Sequence, residues 1–393
     1  MLTGMAKWKS GLLVVLLTLA AAIAAIGAAE IYLRSRAGAR AAIPFYNRLY
    51  PYVMFRPAES TSYVSEETFL MSHSKSRVYH YTNADGLRVP SMDYALPHEK
   101  PPSQLRIAVL GSSAVQLGST YETTLPGSLR TVLRRRYPGR DIEVINGGIT
   151  SCVSRQSIAH LLFTVAAYHP DIVILYDGVN DIGMPMTYES RPNFPYNFQA
   201  LEAAWNTYRE NYEAPLWRLA LDRSYVAQAV RAKFGQGESG TQRPVVIGPN
   251  AIPAERFIRD GALVKSYVAE YLANWKLLVE LAPALRYQPV CVLQPTGGLD
   301  REYAVPLTRR DFQLSEKAAL EWIAAFDGFY QEADRQVDAL RAADPGHVYL
   351  NLRAFLKPSK KYFWDLVHVY DETNELIAER ILAEIHPLVE SPR

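Results

Sequence analysis

Four residues of this chain have the types and the placement to carry out acyl transfer: Ser113, Asn180, Asp365 and His368. A hydroxyl can act as nucleophile and an imidazole as its base. A carboxylate can orient that base, and an amide N–H can hold a developing oxyanion. Each of the four falls at the end of, or just after, a segment that reads as a buried β-strand: Arg106–Leu110, Asp171–Tyr176 and His347–Asn351. In an open parallel sheet the loops at the strand carboxyl ends converge on one crevice, so residues far apart in sequence are brought to one rim.

Taken singly, the three loops are ordinary. Gly111-Ser112-Ser113 is a polar turn, and Gly178-Val179-Asn180-Asp181 has common turn chemistry. An Asp-x-x-His spacing such as Asp365 to His368 is weak by itself, and Asp371 reads better as a helix N-cap than as a catalyst. A glycine leaving a strand could instead cradle phosphate, but no Gly-Lys-Ser/Thr and no G-x-G-x-x-G spacing follows it, which argues against a nucleotide. The combination of all three loops in order is far more specific than any one.

The elements that must position them alternate. Thr124 caps a helix with Pro126 in its first turn, and Leu125, Leu129, Val132 and Leu133 share a face. Asp141–Asn146 is a second strand, followed by a helix with Ile158, Leu161, Leu162 and Val165 as its stripe. After the third strand a long insertion, near 183–257, interrupts the pattern, and Gly235–Gly240 within it reads as a mobile loop. Its Tyr188, Tyr196, Trp205, Tyr208, Tyr212 and Trp217 suit either sugar rings or the packing of a helical cover. A helix with Leu263, Tyr267, Tyr271, Trp275 and Leu278 on one side leads to strand four, Gln288–Leu293. A helix near 315–341 precedes strand five. A last helix at about 372–385 turns Leu376, Ile377, Ile381 and Ile385 inward. Strands alternating with helices predict a parallel sheet covered on both faces.

Composition narrows the function. Hydrophobic residues make up 49% and charged residues 21% of the 393, and the formal charge is +2. That fits a globular protein, and with no basic tract nucleic acid is set aside as a partner. Cys152 and Cys291 are too few for a disulfide framework or a cysteine-based zinc site, and no ligand pair sits at metal-binding spacing, so neither metal nor cofactor is expected. Gly11–Ala29 carries no charge and is about long enough to cross a bilayer. It exceeds the roughly 7–15 residues of a signal-peptide core, so an uncleaved anchor over residues 1–30 is expected. Lys7 and Lys9 before it and Arg34, Arg36 and Arg40 after it leave positive-inside counting nearly tied. A single N-terminal span ahead of a whole soluble domain favours export of that domain, to the periplasm or the cell surface. Residues 31–104 read as a lead-in rich in Tyr, Pro and Ser, and 105–393 as the main domain.

With these blocks in place the chain resembles the SGNH (GDSL-type) hydrolase superfamily over roughly 105–385. Gly111-Ser112-Ser113 resembles its first block, Gly178-Val179-Asn180-Asp181 its third, and Asp365-Leu366-Val367-His368 its fifth. Asn83-Ala84-Asp85-Gly86-Leu87-Arg88 in the lead-in resembles membrane-anchored members. The resemblance implies a flavodoxin-like three-layer α/β sandwich with a five-stranded parallel sheet, preceded by the transmembrane helix. It implies Ser113 as nucleophile, His368 as base and then acid, and Asp365 as the group that holds the imidazole. The oxyanion would be held by the Ser113 N–H, the Asn180 amide and one N–H of the second loop. Two positions depart from the family pattern. Ser112 stands where an Asp is usual. In Asn146-Gly147-Gly148-Ile149-Thr150-Ser151 the oxyanion glycine falls on Ser151, with Gly147 and Gly148 leaving the register open. In the strand order 2-1-3-4-5 the two cysteines would be too far apart to bridge.

The expected activity is hydrolysis of an ester, with an acyl group, most simply acetyl, on an extracytoplasmic glycan. The same residues suit a polysaccharide O-acetyltransferase or a lysophospholipase-like lipid esterase, and a non-catalytic glycan-binding module would keep the fold.

Overall fold

The computed structural model describes residues 2–40, 47–64, 79–195 and 250–390, with isolated positions between 198 and 248. The chain divides into two units, Met1–Pro44 with Ala200–Arg243 and Phe45–Gln199 with Pro244–Arg393. In the first unit, helix α1 (Leu2–Arg40) contains a segment, Val14–Leu33, of mean hydropathy 2.3 with none of it buried. Its length and composition suffice to cross a membrane, and a signal sequence would have the same character. The expected loop Gly235–Gly240 and the aromatic residues Tyr196, Trp205, Tyr208, Tyr212 and Trp217 lie outside the described residues.

The second unit is built on a sheet. Five of its strands are nearly continuous apolar runs, as strands covered on both faces must be. They are β6 (Leu105–Gly111), β7 (Ile142–Gly148), β8 (Ile172–Asp177), β9 (Gln288–Leu293) and β10 (Val348–Asn351). They pair in parallel in the order β10-β9-β8-β6-β7, which counted along the chain is 2-1-3-4-5. The sheet does not stop at five. β5 (Arg88–Val89), β4 (Tyr79–Thr82) and β3 (Ser62–Val64) add antiparallel to the β7 edge, giving eight strands among the described residues. The lead-in sequence hid them because these strands are short and carry polar residues, so no apolar run announces them. They also cover the β7 edge, which a five-stranded sheet would leave open. A separate hairpin, β1 (Asn47–Tyr50) with β2 (Met54–Pro57), precedes them.

Side chains alternate along each strand, so one apolar run feeds two cores. Ala108, Leu110, Val173, Leu175 and Cys291 pack with α4 (Ser154–Phe163), α7 (Gly261–Leu285) and α9 (Glu316–Ala343). Ile107, Val109, Ile174 and Val292 pack with α3 (Leu125–Arg136) and α10 (Asp371–Glu390). Thr124 caps α3 by accepting the Gly127 N–H at 3.1 Å. Two residues expected to face inward do not: Leu162 and Leu376 are 41% and 42% exposed. Each is the sequence neighbour of a buried residue, Leu161 or Ile377, about 100° round the helix from it, at the edge of the stripe. Asp371 is the first helical residue of α10, and its carboxylate accepts the Ser119 N–H at 3.1 Å. Cys152 and Cys291 are buried free thiols.

Candidate active site

The nucleophile candidate is placed by a glycine. β6 ends at Gly111 with φ +154°, where an added Cβ would come within 2.1 Å of the Tyr176 carbonyl oxygen. Only glycine lets the chain turn off the strand this close to its neighbour. Ser113 then opens a one-turn helix, α2 (Ser113–Gln116), with its side chain 7% exposed. Gly178, with φ +125°, makes the matching exit from β8 and starts α5 (Val179–Thr187), which carries Asn180.

After β10 the chain folds back on itself between Phe363 and Val369. Asp365 and His368 sit in that bend. One Asp365 oxygen accepts the N–H groups of Val367 at 2.7 Å and His368 at 2.6 Å, which fixes the turn. The other lies 2.7 Å from His368 Nδ1, and His368 Nε2 lies 2.7 Å from Ser113 Oγ. The Trp364 ring stacks on the His368 imidazole at 5.0 Å and 13°, which holds the ring plane. Burial alone would push the Asp365 carboxyl upward. The adjacent His368 charge and the hydrogen bonds from His368 and Val367 outweigh burial and hold it below the usual carboxylate range.

Among the described hydrogen bonds, two other histidines pair with carboxylates: His98 lies 2.7 Å from Asp85, and His347 2.8 Å from Asp344. Neither has a serine hydroxyl among its described hydrogen bonds, and His347 precedes β10, at the wrong end of the sheet for the crevice.

The oxyanion candidates surround the same hydroxyl. Ser113, Ser151, Asn180, Asp365 and His368 all line one cavity of about 340 Å³. Asn180 Nδ2 donates to the Cys152 carbonyl at 2.7 Å, which fixes the amide and leaves its second N–H available. Ser151 has φ +67°, a left-handed conformation that costs an L-residue about 1–2 kcal/mol. That is a backbone a glycine would take without cost. None of the described hydrogen bonds uses the Ser113 or the Ser151 N–H. Ser112 has a buried hydroxyl with no partner among the described residues.

Sequence reading missed the groups that hold the loops. Arg88, 2% exposed in β5, donates to the Gln116 carbonyl and, at 3.0 Å, to that of Gly118. The Gln116 side-chain oxygen accepts the Thr150 N–H at 2.8 Å and the Thr150 hydroxyl. Asn146, paired with Arg88 across the sheet, donates to the Val115 carbonyl at 3.2 Å. The Ser113 turn and the Ser151 loop are thus tied together by Arg88 and Asn146. The only signal in the sequence was the Asn83–Arg88 motif.

Two more carboxylates lie behind the rim. Asp181 accepts the Ser154 hydroxyl at 2.5 Å and its N–H at 3.1 Å, and burial, against these donors, pushes its carboxyl up to about 6. Asp177 accepts the Tyr271 hydroxyl at 2.9 Å and the Trp275 indole N–H at 3.3 Å. Burial, helped by the nearby Asp181 charge, pushes its carboxyl well above the usual range. Among the described residues no group of three or more His, Cys, Asp or Glu is placed to hold a metal ion.

No protein-family model matches the chain. No curated protein matches it either. Several solved structures align with most of it at low similarity. Axe2, an acetylxylan esterase from Geobacillus stearothermophilus, is 14% identical with a TM-score of 0.35, the alignment covering 72% of this chain and 94% of that one. A mutant of Axe2, described as an acetyl-xylooligosaccharide esterase, is 15% identical with a TM-score of 0.38 over the same shares. LAE5, an alpha/beta hydrolase enzyme from the metagenome of Lake Arreo, Spain, is 13% identical with a TM-score of 0.33, covering 74% and 98%. Likeness at this level carries no weight on activity.

Proposed function

We propose that the protein is a serine ester hydrolase of the SGNH type, with Ser113, His368 and Asp365 as its triad. The reading rests on one observation, the unbroken line from Ser113 Oγ to His368 Nε2 and from His368 Nδ1 to Asp365, with 2.7 Å at each contact, beside an open cavity. Ser113 Oγ attacks the ester carbonyl carbon while His368 Nε2 takes the hydroxyl proton. The carbonyl oxygen becomes an oxyanion held by the N–H groups of Ser113 and Ser151 and the free Asn180 N–H. Collapse of the intermediate breaks the bond to the alcohol oxygen, which leaves with the proton from His368. Water then attacks the acyl-serine, His368 again taking a proton and returning it to Ser113 as the free acid departs. Asp365 keeps the imidazole in the required tautomer and stabilises its charged form.

The remaining assignments follow the sequence. Residues 1–30 anchor the chain in a membrane, and the lead-in 31–104, whose strands β3, β4 and β5 extend the sheet, belongs with 105–393 to the hydrolase domain on the extracytoplasmic side. The length and apolarity of Val14–Leu33 support the anchor. The alcohol side of the ester is then a glycan or a related compound outside the cytoplasm.

A fluorophosphonate probe should label Ser113 in the folded protein, and p-nitrophenyl esters should be hydrolysed. Ser113→Ala should abolish both, and Asn180→Ala should lower turnover by roughly 10²–10³-fold. Acyl transfer to an added sugar that outruns hydrolysis would move the assignment to an acyltransferase. Neither labelling nor turnover of any ester, in protein with native circular dichroism, would leave a binding module.

A further inference from the structure

The acyl side of the substrate is written in the wall of the cavity. Its volume is about 340 Å³. At roughly 30 Å³ for a water-sized group, that houses on the order of ten non-hydrogen atoms. Acetyl, the acyl group expected from the sequence, uses three.

The wall is largely apolar. Trp322 and Phe326 of α9 both line it, and their rings stack on each other at 4.9 Å and 14°. Phe312, at the end of α8 (Arg301–Phe312), also packs on Trp322, at 5.2 Å and 34°. Trp322 is 4% and Phe326 1% exposed, so neither offers an open ring face for a pyranose to lie on, and only the half-buried rings of Tyr188 and Phe312 remain at the cavity for such a contact. Several polar groups of the wall are already engaged by the protein. The Thr187 hydroxyl donates to the Gly183 carbonyl at 2.7 Å, Asp311 accepts from Arg310 at 2.6 Å, and Thr150 is held by Gln116. Sugar hydroxyls entering here would exchange water for few partners, which is costly. Val179, Met184 and Leu366 complete an aliphatic and ring-edge surface that suits hydrocarbon.

We infer that this cavity binds the acyl chain of the ester, and that the preferred chain is an aliphatic one longer than acetyl, of up to about eight carbons, the most that such a volume holds with the carbonyl oxygen. The inference rests on the ester-hydrolase reading. Gly183 supplies a handle on it. It lines the cavity from α5, and an added Cβ meets nothing nearer than Phe326 Cε2 at 3.7 Å. A larger side chain there points toward space that the acyl chain would use, and leucine is a better helix former than glycine.

The test is two ester series on the purified full chain in detergent. In p-nitrophenyl esters of constant alcohol, kcat/KM should rise about fourfold per added methylene from acetate until the wall is filled, then fall. In acetates of lengthening alcohols it should stay nearly flat. Gly183→Leu should lower the octanoate-to-acetate ratio by at least about tenfold, the loss of two methylenes' contribution, while Ser113 still labels with fluorophosphonate. A maximum at acetate, a gain with alcohol length in place of acyl length, or an unchanged ratio in Gly183→Leu would overturn the inference and leave the triad standing. Loss of labelling and of all turnover in the wild-type chain would instead remove the hydrolase reading itself.

Discussion

Asp365 and Asp177 are both reached from the carboxyl ends of sheet strands, yet they are driven in opposite directions. Asp177 is 3% exposed, and one of its oxygens has no hydrogen-bond partner among the described residues. The Asp365 side chain is 17% exposed, with both oxygens taken by donors and an imidazole alongside. Burial acts the same way on both. The difference lies in the donors: Asp365 receives two backbone N–H groups and His368, whereas Asp177 receives two neutral side chains and the repulsion of Asp181. A carboxylate at the rim is held toward its charged form because the fold supplies partners for the charge, and a deeper one is pushed toward its neutral form because it does not. Only the first can stabilise an imidazolium.

The sharpest way to break this comparison is to replace each carboxyl by its amide in turn. Asp365→Asn keeps an acceptor for the Val367 and His368 N–H groups but favours the wrong imidazole tautomer. Its kcat should fall by about 10⁴-fold with the fold intact. An activity within tenfold of wild type on a p-nitrophenyl ester would remove Asp365 from the triad.

A smaller effect is expected at Arg88, a buried charge that, like Asp365, is given partners. Arg88→Met takes two donors from the carbonyls that fix the nucleophile turn. A displacement of Ser113 on the order of 1 Å should lower kcat by about 10²-fold or less. KM should move by less than about threefold, since the cavity wall is untouched. Arg88→Lys should recover part of the loss, because one ammonium cannot span both carbonyls. If kcat and the rate of fluorophosphonate labelling both hold steady in Arg88→Met, the residue only supports the fold.

The smallest change in activity belongs to Asp177→Asn. An amide resembles the neutral carboxyl, so turnover at pH 7 should stay within about threefold, under 1 kcal/mol in the barrier. Stability against pH separates the two carboxylates by sign. The folded pKa of Asp365 lies below its unfolded value near 4, so its contribution is complete above that value and is lost as pH falls through the folded pKa. Asp177 and Asp181 are shifted upward, Asp181 to about 6. The native state therefore holds more protons than the unfolded chain from about pH 4 to 6, and stability falls as pH rises through that window. Urea midpoints from pH 4 to 7 should decline less in Asp177→Asn than in wild type. Parallel curves would mean that Asp177 is ionised in the fold.

Much of the candidate site could be read from the chain because its parts are local. Each loop follows an apolar run, and the Asp-x-x-His bend, the Gly-Ser-Ser exit and the Gly-Val-Asn-Asp turn each carry their own geometry in a few residues. The parallel strands were legible for the same reason, since a strand buried on both faces must be apolar throughout. Strands β3, β4 and β5 were not, because a short edge strand that borrows its partners needs no apolar run. Leu162 and Leu376 misled because a periodic stripe fixes the centre of a buried face but not its margin.

By itself, then, the sequence determined the alternation of strands and helices, the apolar segment near the N-terminus, and the residue types that could do acyl chemistry. Tertiary structure alone decided which atoms meet. Arg88 holds the Gln116 and Gly118 carbonyls 28 and 30 positions away, and His368 reaches Ser113 across 255. Trp322 and Phe326, from a helix far along the chain, line the same cavity as Ser113. Whether a carboxyl is charged, and what a cavity excludes, depend on donors and surfaces contributed by distant elements, and no local window of residues contains them.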